Sequence, residues 1–279
     1  PPPPPAPPAP AATGWRTAEP AGPPAPDATV RVALEAEPAT LDPFATLDAA
    51  SARVLGNVVE GLVCVTAAGG LEPCVAAAHE ISADRRRWRF TLDPARRFSD
   101  GRPVTAADVI ASLDAARGRG HAAGPLAGVL DDAVAITAPA PGQVEVVFAG
   151  ARHDRSRDLA LVPIVPADQV AAPSLATAPI GTGPFAVAGW DRGERVRLRR
   201  VAGARRPAGA AVLELVVVAD RQDAIRRLVA GDLDLVVQVP IAEAVAATAA
   251  HPSLARFRYA QPAYLAAIFN TRRAPLATA

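Results

Sequence analysis

Lysine and methionine are both absent from this 279-residue chain, and cysteine occurs only twice. All 29 basic side chains are therefore arginines, a bias that reads as the mark of a GC-rich genome and carries no functional meaning. With no methionine anywhere, Pro1 does not follow an initiator, and the chain is expected to have lost its start or to have been cut from something longer. The near balance of 29 basic against 28 acidic residues, a net charge of +1, argues against a dedicated nucleic-acid binder. Long apolar runs are missing too: none reaches the roughly 20 residues that a membrane-spanning helix needs. No signal peptide is visible, though its removal would leave the same sequence. There is no Gly-x-Ser-x-Gly, no His-Glu-x-x-His and no Cys–His pair in a recognisable context, so no catalytic residue is assigned and an enzyme is not expected. Cys64 and Cys74 with the nearby His79 do not make the ligand set of a metal site. His79, His121, His153 and His251 are scattered, so neither metal nor cofactor is expected.

What is present is apolar and ordered by pattern. Half of the residues are hydrophobic, enough to build one large or two medium domains. Residues 1–28 stand apart, because residues 1–26 hold 12 of the 30 prolines and show no apolar periodicity; a semi-rigid extended linker is expected there. The two cysteines are even in number and close in sequence, which suits a disulfide in an oxidising compartment; two buried, unpaired thiols fit equally well.

The most legible stretch is residues 88–113. Trp88, Phe90 and Leu92 alternate with Arg89 and Thr91, which predicts a strand with one apolar face. Ser99-Asp100-Gly101 is turn chemistry. Thr105 and Asp108 predict a capped helix start, with Val104 and Val109 placed as a staple and Val109, Ile110 and Leu113 as its buried stripe. The seven arginines between 84 and 102 point away from the apolar strand face and read as solvated surface, not as a phosphate patch.

Elsewhere, 29–34 alternates as a first strand, and 48–62 has helical spacing that Gly61 is expected to end. A hairpin is expected about residues 68–70, and another joins 133–137 to 144–148. Gly181-Thr-Gly-Pro leads into a strand rather than a helix and carries no lysine, so its glycines are expected to allow close backbone packing and not to cradle phosphate. The apolar run 212–218, a helix through 224–229 closed by Gly231, and a strand over 233–239 imply a right-handed crossover with a parallel pair. Asp232 and Asp234 read as a solvated turn and not as an acid–base pair. A last helix is expected from about 241 to 249.

Several of these stretches carry a resemblance. "Trp-x-Phe-x-Leu … Phe-Ser-Asp-Gly-x-Pro-Val-Thr-Ala-x-Asp-Val-x-x-Ser-Leu" at 88–113 resembles the signature of the family 5 extracellular solute-binding proteins, the oligopeptide-, dipeptide- and nickel-binding receptors of ABC importers. Glu37-Pro-x-Thr-Leu-Asp-Pro43, Asn57-x-x-Glu-Gly-Leu62, Leu71-x-Pro-x-x-Ala76, Gly181-Thr-Gly-Pro-Phe185, Ala230-Gly-Asp-Leu-Asp-Leu235 and Phe269-Asn-Thr-x-x-x-Pro275 are similar to further motifs of that family, in order, over 29–279.

The resemblance implies an α/β fold of the periplasmic binding protein-like II class, a two-lobe clamshell. Here it would supply the first lobe and its inserted subdomain, with the second lobe truncated. The implied division is a linker at 1–28, a discontinuous first lobe at 29–50 and 170–262, an inserted subdomain at 51–169, and a hinge with the start of the second lobe at 263–279. The implied function is an extracytoplasmic receptor that delivers peptides or similar small solutes to the membrane permease of an ABC importer. It would be periplasmic or at the cell surface, monomeric, without nucleic acid, and tethered through a lipid anchor lost upstream. Two other readings are a receptor for nickel or a metal chelate and a non-transport interaction module derived from the family. For ligand contact the resemblance points to Glu37 and Thr40 in the first loop and Tyr264 at the hinge. An extracytoplasmic setting also favours a Cys64–Cys74 disulfide. As it stands, the chain is expected to hold half a cleft and to bind peptide weakly or not at all.

Overall fold

The computed structural model describes residues 16–17, 27–45, 48–66, 70–119, 126, 128–151 and 155–258. The expected linker lies outside these residues except at 16–17 and 27–28, and Tyr264 lies outside them altogether. The chain forms two compact units, Pro23–Val239 and a smaller one made of Pro1–Gly22 with Pro240–Ala279. The smaller unit begins with the two-residue strand β1 (Arg16–Thr17).

The larger unit opens with β2 (Thr29–Leu34), α1 (Ala49–Leu55) and the hairpin strands β3 (Val63–Val65) and β4 (Leu71–Pro73). It continues through β5 (Ala76–Ile81), β6 (Arg87–Leu92), α2 (Ala106–Arg119), β7 (Ala133–Thr137), β8 (Gln143–Phe148) and α3 (Arg155–Leu161). It closes with β9 (Phe185–Asp191), β10 (Arg195–Arg200), β11 (Val212–Val217) and α4 (Arg221–Ala230). The smaller unit resumes with α5 (Ile241–Ala250) and β12 (Phe257–Arg258), and β12 pairs in parallel with β1.

One core grows from the stretch around β6. Strands β5, β6, β8 and β7 form an antiparallel sheet in that order. Trp88, Phe90 and Leu92 are buried on one face, and Val144, Val146 and Phe148 of β8 join them, with Trp88 opposite Val146 and Phe90 opposite Val144. Each such side chain contributes about 1.5–3 kcal/mol by leaving water. Helix α2 shares this core through Val109 and Leu113, with Ile110 at its margin. Its start is capped reciprocally: the Thr105 N–H donates to Asp108 Oδ2 at 2.9 Å, and the Asp108 N–H donates to Thr105 Oγ1 at 3.4 Å. On the opposite sheet face Glu145 pairs with Arg87 and Arg89, at 3.3 and 2.8 Å, which accounts for two of the seven arginines.

The second core surrounds a mixed sheet in the order β2-β11-β10-β9. Strand β2 runs parallel to β11, and the two remaining pairs are antiparallel. Alternation along β2 sends Val32 and Leu34 to one side, where Ala50, Val54 and Leu55 of α1 pack with Val196, Leu198 and Leu215. Ala33 faces the other way and meets Val218, Ala224 and Leu233 in a small cluster that seats α4. Helix α1 spans residue 51, where the first lobe and the inserted subdomain were expected to meet, and its buried side chains belong to the mixed-sheet core.

Three sequence expectations need correction, the first being that Arg96, one of the seven arginines expected at the surface, is buried. The helix predicted over 48–62 stops at Leu55 with Gly56 as its C-cap. The chain unwinds there because the carbonyls of Asn57 and Val58 accept from the N–H groups of Phe185 and Gly183, at 3.1 and 2.9 Å, which a continuing helix would forbid. The strand expected over 233–239 shrinks to a single parallel bridge between Leu235 and Val32. It lies on the edge of β2 away from β11, so β11 and this segment flank β2 instead of pairing with each other. Asp234 sets that bridge by accepting from Arg31 N at 2.8 Å and from its guanidinium at 3.1 Å, and the positive φ of 57° at Gln238 then breaks the extended path.

Candidate functional site

The loop after β2 carries two of the three expected ligand-contact residues. Asp48 caps α1 behind it, with Oδ1 accepting from Ser51 N at 2.7 Å and Oδ2 from Ser51 Oγ at 2.6 Å. Burial pushes the Asp48 carboxyl up, but the hydrogen bonds from Ser51 outweigh it and hold the group below the usual carboxylate range. Thr40 turns inward on its own loop: its Oγ1 accepts from Asp42 N at 3.0 Å.

Glu37 reaches across to the turn between β9 and β10. Its Oε1 accepts from Trp190 Nε1 at 2.9 Å, its Oε2 accepts from Gly193 N at 3.0 Å, and Arg192 lies 3.6 Å from Oε1. The Arg192 guanidinium stacks 3.3 Å above the Trp190 ring, within the range of a cation–π contact. Beside this group is a hollow of about 260 Å³ lined by Thr177, Ala178, Val187–Trp190 and Arg192. The structure thus brings Glu37 to an aromatic ring and a cation, while Thr40 stays within its own turn.

Behind the loop lies a buried polar node that sequence reasoning did not single out. Glu60 Oε2 lies 3.3 Å from Arg96 Nη2 and accepts from Thr182 Oγ1 at 3.0 Å. Arg96 is buried and also donates to the Cys74 carbonyl through Nε and Nη2, at 3.2 and 3.0 Å. Burial lowers the pKa of this guanidinium and the charge of Glu60 opposes the shift. Cys64 and Cys74 are joined as a disulfide with their Cα atoms 5.4 Å apart.

Gly181 and Gly183 close the same node from the other side. A Cβ on Gly181 would lie 2.0 Å from the Val58 carbonyl oxygen, and one on Gly183 would lie 2.6 Å from that of Asn57. The Ser99 N–H donates to the Gly181 carbonyl at 2.8 Å. The node therefore ties 57–62, 96–99, the disulfide hairpin and 181–185 together. Its sequence signals were the glutamate inside Asn57-Val-Val-Glu-Gly-Leu62 and the close-packing glycines of Gly181-Thr-Gly-Pro, with nothing to join them to Arg96.

Among the described residues, one group of three has potential metal-ligating atoms within 4.8 Å of one another: Glu60, Cys64 and Cys74. With the two sulfurs bonded to each other, they are not free to ligate. Among the described residues, no helix is long and apolar enough to cross a membrane.

These tied segments are the ones on which the resemblance rested, and a family comparison decides it. Residues 70–279 match the middle part of the bacterial extracellular solute-binding proteins, family 5. The chain belongs to this family. As a family 5 protein it is 32% identical over 151 residues to the probable deoxycholate-binding periplasmic protein YgiS of Escherichia coli, covering 52% of this chain and 28% of that protein. It is 38% identical over 79 residues to the periplasmic murein peptide-binding protein MppA of the same bacterium, covering 28% of this chain and 14% of the other.

Among solved structures it matches the binding protein AgaA of A. tumefaciens in complex with agropinic acid, with a TM-score of 0.73 and 27% identity. That match covers 80% of this chain and 46% of AgaA. The chain therefore spans less than half the length of these relatives. The α/β fold is that of the family 5 periplasmic binding proteins. The relatives are binding proteins rather than enzymes, and their names give deoxycholate, a murein peptide and agropinic acid as what they bind.

Proposed function

We propose that the chain forms part of an extracytoplasmic receptor that captures a peptide or a similar small solute and hands it to the membrane permease of an ABC importer. The observation that carries the reading is the family match over 70–279. The node of Glu60, Arg96, Thr182 and the close-packed glycines adds support of a different kind, because it explains those motifs as scaffold. A receptor family that keeps its scaffold and varies its ligand will share such residues among binders of unlike solutes.

Within this reading the first lobe is 29–50 with 170–262 and the inserted subdomain is 51–169, with α1 crossing the boundary between them. The residues we propose for ligand contact are Glu37 and Thr40 in the loop after β2, Thr40 once its Oγ1 gives up the Asp42 N–H, and Tyr264, which lies outside the described residues. Glu37 is the best supported of the three, since two N–H donors and Arg192 fix its carboxylate beside an aromatic ring. A ligand amine would compete with Arg192 for that carboxylate, a charge-assisted contact. Peptide main chain would add strand-like hydrogen bonds. The receptor acts as a monomer outside the cytoplasm, held near its permease by a lipid tether.

Titration calorimetry of the full-length gene product and of this chain tests the reading, with a mixed pool of short peptides, deoxycholate and nickel–histidine as titrants. The expected result is saturable binding of peptides by the gene product, and weaker or no binding by this chain. Binding of nickel–histidine or deoxycholate with no response to peptides would replace the peptide reading. Comparable sub-micromolar peptide binding by the short chain would refute the half-cleft division.

A further inference from the structure

The disulfide and the buried carboxylate beside it form a constellation that the solute-binding reading does not use. Cys64 lies in β3 opposite Glu72 of β4, and Cys74 follows directly after β4, where the chain turns back to leave the two Cα atoms 5.4 Å apart. A side-chain oxygen of Glu60 and both sulfurs lie within 4.8 Å of one another. Among the described residues, the contacts that Glu60 makes with Arg96 and Thr182 both fall on Oε2, so Oε1 is the oxygen available for a metal. Cys74 is buried and the Glu60 side chain nearly so, whereas Cys64 is half-buried, so the cluster reaches solvent on the Cys64 side.

We propose that reduction of the Cys64–Cys74 bond turns this cluster into a site for a thiophilic divalent cation of the zinc class, held by two thiolates and Glu60, with water in the fourth position. The reductant is a dithiol. It gives up two electrons and two protons to become a cyclic disulfide, the protein S–S bond breaks, and each cysteine sulfur takes one electron and one proton to become a thiol. Metal binding then forms two metal–sulfur bonds and releases both protons to water, because the thiolate is the ligand.

Three features favour the site. Two thiolates and a carboxylate carry three negative charges, which a divalent ion and the Arg96 guanidinium together neutralise inside a half-buried pocket. Thr182 and Arg96 already orient the carboxylate, as the outer shell of a metal site must. Tetrahedral coordination at Zn–S distances of about 2.3 Å places two sulfurs about 3.8 Å apart, a separation that the neighbouring hairpin positions reach by side-chain rotation. Thiolate ligation selects zinc-like ions over magnesium and calcium.

The test uses protein reduced with a dithiol, desalted under anaerobic conditions and titrated with Co²⁺, then with Zn²⁺. The expected result is a thiolate-to-cobalt charge-transfer band that saturates at one equivalent, is abolished by Zn²⁺, and is absent from the oxidised protein. Glu60→Gln should weaken cobalt binding at least ~10-fold. Cys64→Ser keeps the Glu60–Arg96 pair and should lose the band. No band in the reduced wild type, an unchanged affinity in Glu60→Gln, or a retained band in Cys64→Ser would each overturn the proposal.

Discussion

Replacing Gly181 by alanine isolates the close approach on which the node depends. The φ of Gly181 lies outside the left-handed region, so the obstacle to a side chain is space and not backbone conformation. The added Cβ would sit 2.0 Å from the Val58 carbonyl oxygen, 2.8 Å from the Val58 carbonyl carbon and 2.8 Å from Val59 Cα. All three are backbone atoms, so no flexible side chain can yield. Separating the two segments strains or breaks the bonds from Gly183 N to Val58 O and from Phe185 N to Asn57 O.

Overpacking of this kind costs about 1–3 kcal/mol, and each weakened hydrogen bond about 0.5–1.5 kcal/mol. A loss of about 3 kcal/mol lowers the melting temperature of a domain this size by roughly 6–12 °C. Gly189→Ala is the control, because a Cβ there meets nothing within 4 Å. It should be neutral or slightly stabilising through the unfolded chain. Differential scanning calorimetry of both variants decides the matter. A Gly181→Ala protein melting within about 1 °C of wild type, or an equal loss in Gly189→Ala, would refute the reasoning.

Other consequences follow from single contacts. Asp234 is held below its ordinary carboxylate value of 3.8 by hydrogen bonds from Arg31. Its stabilisation is therefore fully present above that pH and is lost as pH falls through the lower folded value. Both partners are more than a third exposed, so the effect is below about 1 kcal/mol; Asp234→Asn should flatten this acid limb of a pH–stability curve, and an unchanged limb would count against it. Asp48→Ala should cost about 1–2 kcal/mol in chemical denaturation through loss of the α1 cap, with Asp48→Asn retaining most of the stability; equal losses would show that the cap is not the cause. Glu37→Ala should shift the Trp190 indole N–H resonance, because Nε1 loses its carboxylate acceptor; an unmoved resonance would remove Glu37 from the hairpin contact.

Local pattern carried the fold furthest where the deciding contacts are local. The strand, turn and helix of 88–113 stand as read, because alternation, turn residues and the Thr105–Asp108 cap all lie within a few residues of one another. The close-packing role of the Gly181–Gly183 loop was also legible, since the strand that follows it removes the phosphate-cradle alternative.

The misses are long-range. Helix α1 ends early because its next carbonyls are claimed by 183–185, far along the chain. The expected strand at 233–239 pairs with β2 instead of β11 because Asp234 is drawn to Arg31, 203 residues away, and it stops short where Gln238 takes a positive φ. Glu60 and Arg96 looked like an ordinary motif glutamate and one surface arginine among seven; only the fold buries them as a pair. The partners of Glu37 lie 153 and 156 residues downstream, beyond the reach of any spacing rule.

The most direct test of the receptor reading is native mass spectrometry of the gene product purified without denaturation from the cell envelope of its source. The account predicts one protein mass plus a series of adducts with the masses of short peptides, released unaltered on unfolding. A homogeneous non-peptide adduct, or conversion of added peptides into products of new mass, would contradict it.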